Sequence, residues 1–368
     1  MSAVRLRPAP QVVIHGEGAV ATLLAGVVAD GSARPFVLSG RRARAAAASS
    51  LSTLPAGSIE ALFGGECSPG EVERLRTRAE RDGADVVIGV GGGKVLDTAK
   101  ALGAAAGLPV HLVPTLASTC AAWSPLSVFY DDDHRHLGHT VWEHTTRSVA
   151  LEPDLLLSGP VEYFVSGIAD TLAKWVETRA AFETADRSLL TELGLMQAEV
   201  CRDTVLEHAA AAVADLRAGR PSASARRVAE AGVATAGLVG GFGGASGSAT
   251  LAHPVSDGLS ALPETVDDLH GVKVAYGILV QLAAEKRFDE LDAYAPVYAD
   301  LGLPRCLADL GIAPDRVEAH EIIAETALSP HSSAHALGAL AHPRALAAAL
   351  AAVEDWAAPL DRVAVVGR

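Results

Sequence analysis

Cysteine is scarce in this chain of 368 residues. Cys67, Cys120, Cys201 and Cys306 are scattered and form no C-x-x-C pair. That pattern argues against a disulfide framework and against structural zinc. Positive charge is also short: 30 Lys and Arg stand against 44 Asp and Glu, for a formal net charge of −14. Nucleic acid and anionic membrane surfaces want the opposite sign, so neither is an expected partner. No apolar run reaches the roughly 20 residues of a membrane span. Met1 starts no secretory-signal pattern. A soluble chain in a reducing, cytoplasmic setting is the expectation. What the chain has in quantity is apolar residues, 49% of the total, enough for a sizeable core. Its length suggests two or three domains.

The most informative stretch runs from Ala84 to Lys100, ADVVIGVGGGKVLDTAK. Asp85–Val90 reads as a buried parallel strand. Gly91, Gly92 and Gly93 break it, and a helical pattern follows from Lys94 to Ala106. Strand, glycine turn and helix offer backbone N–H groups and a positive helix end to a phosphate. The stretch is not G-x-G-x-x-G, because Lys94 holds the sixth position, and no Ser or Thr follows that lysine as a P-loop requires. A purely structural turn is the alternative.

Around it, strands are predicted at Gln11–His15, Arg34–Leu38, Ile59–Phe63 and Pro109–Val113, separated by helical patterns. Ser127–Tyr130, Ser148 and Leu155–Leu157 suggest further strands. The alternation predicts a doubly wound parallel sheet, with its ligand crevice at the carboxyl ends of the strands. A domain boundary is placed at Pro160, giving domains 1–160 and 161–368. Beyond it the pattern is helical: Val161–Thr184, Ser188–Leu216, Ser222–Gly240, Ser248–Leu262, Val272–Lys286, Asp289–Leu301, Pro314–Ala327 and Pro343–Trp356. Ala214–Ser224 and Gly240–Gly247 are the most linker-like stretches.

Four places could carry chemistry. After the second strand, where NAD-selective sites put an acid for the ribose 2′-hydroxyl, stand Gly40, Arg41 and Arg42. A guanidinium there suits a 2′-phosphate and favours NADP over NAD; a solvated helix start is the bland reading. The loop Pro114–Cys120 groups hydroxyls and a thiol at the presumed crevice, in itself a weak signal. Asp170 and Lys174 share a helix face at i, i+4 among apolar neighbours, either as a surface ion pair or as a buried charge with a partner or a metal. His253 and His270 lie in apolar surroundings, where a histidine is more often a satisfied core residue. An Asp with two His, leaving a fourth position open, is nevertheless a plan for a catalytic divalent metal.

Together the motifs GVGGGKVLDTAKA, VPTLAST, SPLSVFY, GIADTLAKWVE and HGVKVAYGILVQL resemble the glycerol dehydrogenase branch of the iron-containing (group III) alcohol dehydrogenase superfamily. Thr119–Ser127 and Asp170–Trp175 look most like the hydroxycarboxylate dehydrogenase A type. The resemblance implies a dehydroquinate synthase-like fold, with an N-terminal dinucleotide-binding α/β domain, a C-terminal all-helical domain and an active site between them. It implies that Gly92, Gly93, Lys94 and Asp97 hold the pyrophosphate. Thr115, Ser118, Ser124, Leu126 and Tyr130 would line the rest of the cofactor site. Asp170, His253 and His270 would hold zinc or ferrous iron. It also implies a homo-oligomer.

The departures from the family point to substrate. Members acting on glycerol carry Asp where Cys120 stands, and its loss removes a charge that would repel a carboxylate. Many members have a metal-binding His at Lys174; a lysine there could meet a substrate carboxylate instead, or form a structural salt bridge. A second family His is Ser256 here, and Pro254 is unusual inside a helix, which puts a His-based proton relay in doubt. NAD-type members carry Asp at Gly40. The expected activity is metal-dependent, NAD(P)H-dependent reduction of a small 2-oxo acid or related carbonyl, with Lys174, Cys120 and His270 at the reacting centre. A polyol or aldehyde dehydrogenase is the nearest alternative. A dehydroquinate synthase-like cyclase needs a basic cluster, and only Lys174, Arg179 and Lys273 stand near the motifs.

Overall fold

The computed structural model describes residues 5–131, 135–184, 188–243, 249–313, 316–360 and 365–367. They divide into two compact units, one of Arg7–Pro160 and one of Val161–Arg368 together with the N-terminal residues up to Leu6.

The first unit is an α/β layer structure. Its elements in order are β1 (Val12–His15), α1 (Ala19–Ala29), β2 (Pro35–Ser39), α2 (Arg41–Ala46), β3 (Ile59–Leu62), α3 (Pro69–Arg81), β4 (Val86–Gly91), α4 (Gly93–Ala106), β5 (Val110–Pro114), β6 (Leu126–Tyr130), β7 (His136–Val141), β8 (Ser148–Leu151) and α5 (Pro153–Leu156). Six strands form one sheet in the order β1-β8-β5-β4-β2-β3, and every pairing is parallel. β2 and β4 are buried at every residue, as their unbroken apolar runs require in a sheet covered on both faces. In register, Ser39 faces Val90 and Gly91 faces Pro114. The carboxyl ends of β2, β4 and β5 therefore lie side by side.

β6 and β7 stand apart as an antiparallel hairpin. The side chains of Asp97 and Lys100 tie it to α4. Val128 N donates to Asp97 Oδ2 at 3.0 Å. Lys100, 4% exposed, donates to the carbonyls of Ala121, Ser124 and Leu126, and pairs with Asp97 at 2.8 Å. Leu155–Leu157, expected as a strand, falls instead at the short helix α5. Pro153 in its first turn has a preset φ and no N–H to leave unpaired.

The second unit is helical: α6 (Val161–Thr184), α7 (Leu189–Arg217), α8 (Ala223–Glu230), α9 (Ala236–Gly243), α10 (Ala252–Ser260), α11 (His270–Ala284), α12 (Phe288–Leu301), α13 (Val317–Ala327) and α14 (Pro343–Ala357). The single helix expected over Ser222–Gly240 is divided by a π-turn at Ala231–Thr235. The expected starts at Ser248 and Pro314, and the end of the stretch Gly240–Gly247, lie outside the described residues. α11 is buried from Gly271 to Ala283. A helix apolar on all sides belongs at the centre of its unit, and α11 packs on α6, α10, α12 and α14. Among the described residues no single helix is long and apolar enough to cross a membrane.

Two glycines of α11 set how closely its neighbours approach. A Cβ on Gly271 would stand 1.8 Å from Ser166 O of α6, and one on Gly277 would stand 2.1 Å from Ala252 O of α10. Only glycine permits these contacts, and they draw three helices together along the first half of α11.

Candidate metal centre and nucleotide-binding turn

Three side chains meet where α6, α10 and α11 converge. Asp170 comes from the middle of α6, His253 from the first turn of α10, and His270 is the first residue of α11. One ligand atom from each lies within 4.8 Å of the others. His253 Nε2 is 3.2 Å from Asp170 Oδ1, and the two imidazole rings are 5.4 Å apart, centre to centre. Lys174 Nζ lies 3.3 Å from the same Asp170 oxygen.

The fourth member of this cluster, Glu177, is absent from the sequence reading. It is 2% exposed. Its Oε2 accepts from His253 Nδ1 at 2.5 Å. Its Oε1 accepts from Thr250 N at 2.9 Å and His253 N at 3.1 Å. From α11, Gln281 Oε1 accepts from Leu251 N and Ala252 N, both at 3.0 Å. The start of α10 thus has its unpaired N–H groups satisfied by two side chains from other helices. Pro254 needs no such partner: it sits in the first turn, where a missing N–H costs nothing. The sequence did carry a signal for Glu177, since Asp170, Lys174 and Glu177 fall at i, i+4 and i+7 on one face of α6.

Electrostatically the cluster is polarised. Burial pushes the Asp170 carboxyl up, but Lys174, the His253 hydrogen bond and the charges of His253 and His270 outweigh it, leaving it well below the usual carboxylate range. Glu177 is also held low: burial opposes ionisation, and His253 and Lys174 overcome it. Burial lowers His253, yet Glu177 and Asp170 raise it to about 10. Burial, followed by the charge of His253, drives His270 down to about 3, so its imidazole is neutral and its lone pair available. An ionised carboxylate and two imidazoles, with a second carboxylate behind one of them, form a donor set suited to a divalent cation such as zinc or ferrous iron.

In the first unit the glycine turn after β4 leads straight into α4. Gly92 is its N-cap, in extended conformation, and no side chain caps the helix. Gly93 opens the helix. Lys94 pairs with Glu66, and its Nζ lies 5.1 Å from the centre of the Tyr130 ring. Gly40 is the N-cap of α2 at the end of β2. Arg41 and Arg42 are exposed there and make no ion pair with other described residues. Thr115 follows β5, with its N donating to Gly91 O at 3.0 Å. Gly40, Gly92, Gly93, Lys94 and Thr115 are thereby brought together at the carboxyl end of the sheet.

Ser118, Cys120, Ser124 and Leu126 lie half-buried along the loop from β5 into β6. Tyr130 ends β6 and lies against His136. Asp97, by contrast, is buried, with its carboxylate engaged by Val128 N and Lys100; its place is behind the turn.

A model of the iron-containing alcohol dehydrogenase family matches residues 10–152. Hydroxycarboxylate dehydrogenase A of Escherichia coli K12 is 40% identical over 324 residues, spanning 87% of this chain and 89% of the relative. This chain belongs to the iron-containing alcohol dehydrogenase family. A glycerol dehydrogenase of Escherichia coli O6:H1 is 35% identical over 301 residues, spanning 80% of the chain and 81% of the relative. Among solved structures, a probable glycerol dehydrogenase from Sinorhizobium meliloti 1021 superposes with a TM-score of 0.88 at 30% identity, over 97% of this chain and 100% of that one. As a member of this dehydrogenase family the protein is an oxidoreductase that interconverts hydroxyl and carbonyl groups of a small molecule.

Proposed function

We propose that this iron-containing alcohol dehydrogenase homologue is a metal-dependent reductase of small 2-oxo acids, with NADPH as its preferred hydride donor. The reverse reaction oxidises the 2-hydroxy acid. The observation that carries the reading is the convergence of Asp170, His253 and His270 within 4.8 Å, in a chain 40% identical to a hydroxycarboxylate dehydrogenase.

Asp170 Oδ, one nitrogen of His253 and one of His270 would bind the metal. A divalent ion held by these three residues would supply Lewis-acid chemistry at a carbonyl oxygen, and a bound reduced nicotinamide would supply the hydride. The chain's own residues do the positioning. The uncapped N–H groups of α4 and the Lys94 ammonium meet the pyrophosphate, and Gly92 and Gly93 keep side chains out of its way. Lys94, which pairs with Glu66 in this structure, would turn to the phosphate of a bound nucleotide. Arg41, beside Gly40, pairs with the 2′-phosphate. Thr115, Ser118, Ser124, Leu126 and Tyr130 line the remainder of the nucleotide site. Asp97 holds the lining segment in place through Val128 and Lys100.

Lys174 attracts the substrate carboxylate, one helical turn from Asp170. Cys120 adds no negative charge that would repel it. Polyol oxidation is the second reading, favoured by the 35% identity to a glycerol dehydrogenase. Steady-state rates with 2-oxobutyrate and NADPH, set against glycerol and NADP, separate the two. The proposal expects the higher kcat/KM for the 2-oxo acid, and a clear preference for glycerol would overturn it.

A further inference from the structure

We infer that Glu177 is the positioning residue of the metal centre: it fixes the ring of His253 by accepting Nδ1–H, and it caps the helix that carries that ring. The inference rests on the metal reading of Asp170, His253 and His270. It adds a residue that touches neither the metal nor the substrate.

The geometry is specific. His253 has two ring nitrogens, and only one can face Asp170. A carboxylate can only accept, so the 2.5 Å contact between Nδ1 and Glu177 Oε2 places a hydrogen on Nδ1. Nε2 is then the nitrogen turned to Asp170 Oδ1, at 3.2 Å. The other Glu177 oxygen is engaged at the same time by Thr250 N and His253 N. Backbone and ring of His253 are thus referenced to one buried carboxylate on α6, the helix that also supplies Asp170. Gln281 holds the two intervening N–H groups and donates to Val176 O at 3.2 Å, next to Glu177. Two ligands 83 residues apart are therefore registered by one carboxylate rather than by chance packing.

Replacing Glu177 by glutamine separates the two tasks. The amide oxygen of Glu177→Gln can still accept from Thr250 N and His253 N. Its NH₂ group must then face Nδ1 as a donor, which turns the Nδ1 lone pair toward it and leaves the hydrogen on Nε2, where the metal should bind.

The test is a titration of the chelator-treated full chain with Co²⁺, followed by its visible absorption and by competition with a chelator. Hydrogen exchange of the α10 amides and the ¹⁵N shifts of His253 are read alongside. The wild type should bind one equivalent, and Glu177→Gln should bind roughly 10- to 100-fold more weakly. Exchange at Thr250 and His253 should stay slow while the ¹⁵N pattern moves to the other tautomer. If Glu177→Gln does not fold, Glu177→Asp, which withdraws the carboxylate by one methylene, should show a loss in the same titration. Wild-type affinity in a folded variant overturns the role of Glu177 and leaves the metal reading standing. No binding by the wild type overturns both.

Discussion

His253 Nε2 lies 3.2 Å from Asp170 Oδ1 although 83 residues separate them in the chain. The contact exists because α11 carries glycine where α6 and α10 press against it. The candidate metal centre is therefore a property of helix packing, and substitutions outside the Asp170, His253 and His270 cluster can disrupt it.

The packing prediction is direct. Gly271→Ala places a methyl 1.8 Å from Ser166 O, and Gly277→Ala places one 2.1 Å from Ala252 O. Each should destabilise the chain by about 1–3 kcal/mol or more, as overpacking does. Gly26→Ala, at an exposed position of α1 with nothing within 4 Å, should be neutral or stabilising by up to about 1 kcal/mol. Denaturant midpoints of the three variants check this.

A pH prediction comes from the first unit. His111 on β5 is buried, with Nδ1 2.7 Å from Ser148 Oγ, and burial lowers its pKa to about 4. A histidine depressed in the folded state contributes stability that is fully present above the unfolded value of about 6.5 and is lost as pH falls toward 4. Between pH 7.5 and pH 5 the loss should be about 2 kcal/mol. Unfolding free energies of wild type and His111→Gln at the two pH values measure it. The variant should show a correspondingly smaller pH dependence, and an unchanged dependence would remove His111 as its source.

Nucleotide choice should follow Arg41. Arg41→Ala should raise the KM for NADPH by tenfold or more and leave that for NADH nearly unchanged, because only the 2′-phosphate loses a partner. Equal effects on both nucleotides would place Arg41 outside the 2′-phosphate site.

Substrate choice should follow Cys120. Cys120→Asp should lower kcat/KM for 2-oxo acids and raise it for glycerol, since a new carboxylate repels one and can accept hydroxyl hydrogen bonds from the other. A substrate panel with saturating nucleotide reads the shift.

Much of the fold is legible in the sequence. The run Asp85–Val90 and the triple glycine marked β4 and the start of α4, because buried parallel strands are apolar throughout and glycine interrupts both periodicities. Long helical stretches such as Val161–Thr184 emerged at those bounds. Leu155–Leu157 misled because a short apolar run fits a strand or a buried helical turn equally, and Pro153 settles it for the helix. The π-turn at Ala231–Thr235 leaves no local trace among Ala, Gly and Val.

At the site, Asp170, His253 and His270 stood out as polar residues on apolar faces. Glu177 and Gln281 did not, although they satisfy the start of α10. The i, i+7 spacing puts Glu177 on the helix face of Asp170, but the partners of Glu177 and Gln281 at the start of α10 are distant in the chain, and spacing alone does not reveal those bonds. Pro254 looked out of place for the same reason: the helix start that excuses it is defined by those distant caps.

The central claim is that Asp170, His253 and His270 hold a catalytic divalent ion. It is tested most directly by NADPH oxidation with 2-oxobutyrate in chelator-treated protein, in the same protein after Zn²⁺ or Fe²⁺ is restored, and in the His253→Ala/His270→Ala variant. The account predicts activity that falls at least about a hundredfold on metal removal, returns with one equivalent of metal in the wild type, and does not return in the variant. Full turnover by the folded double variant would contradict it.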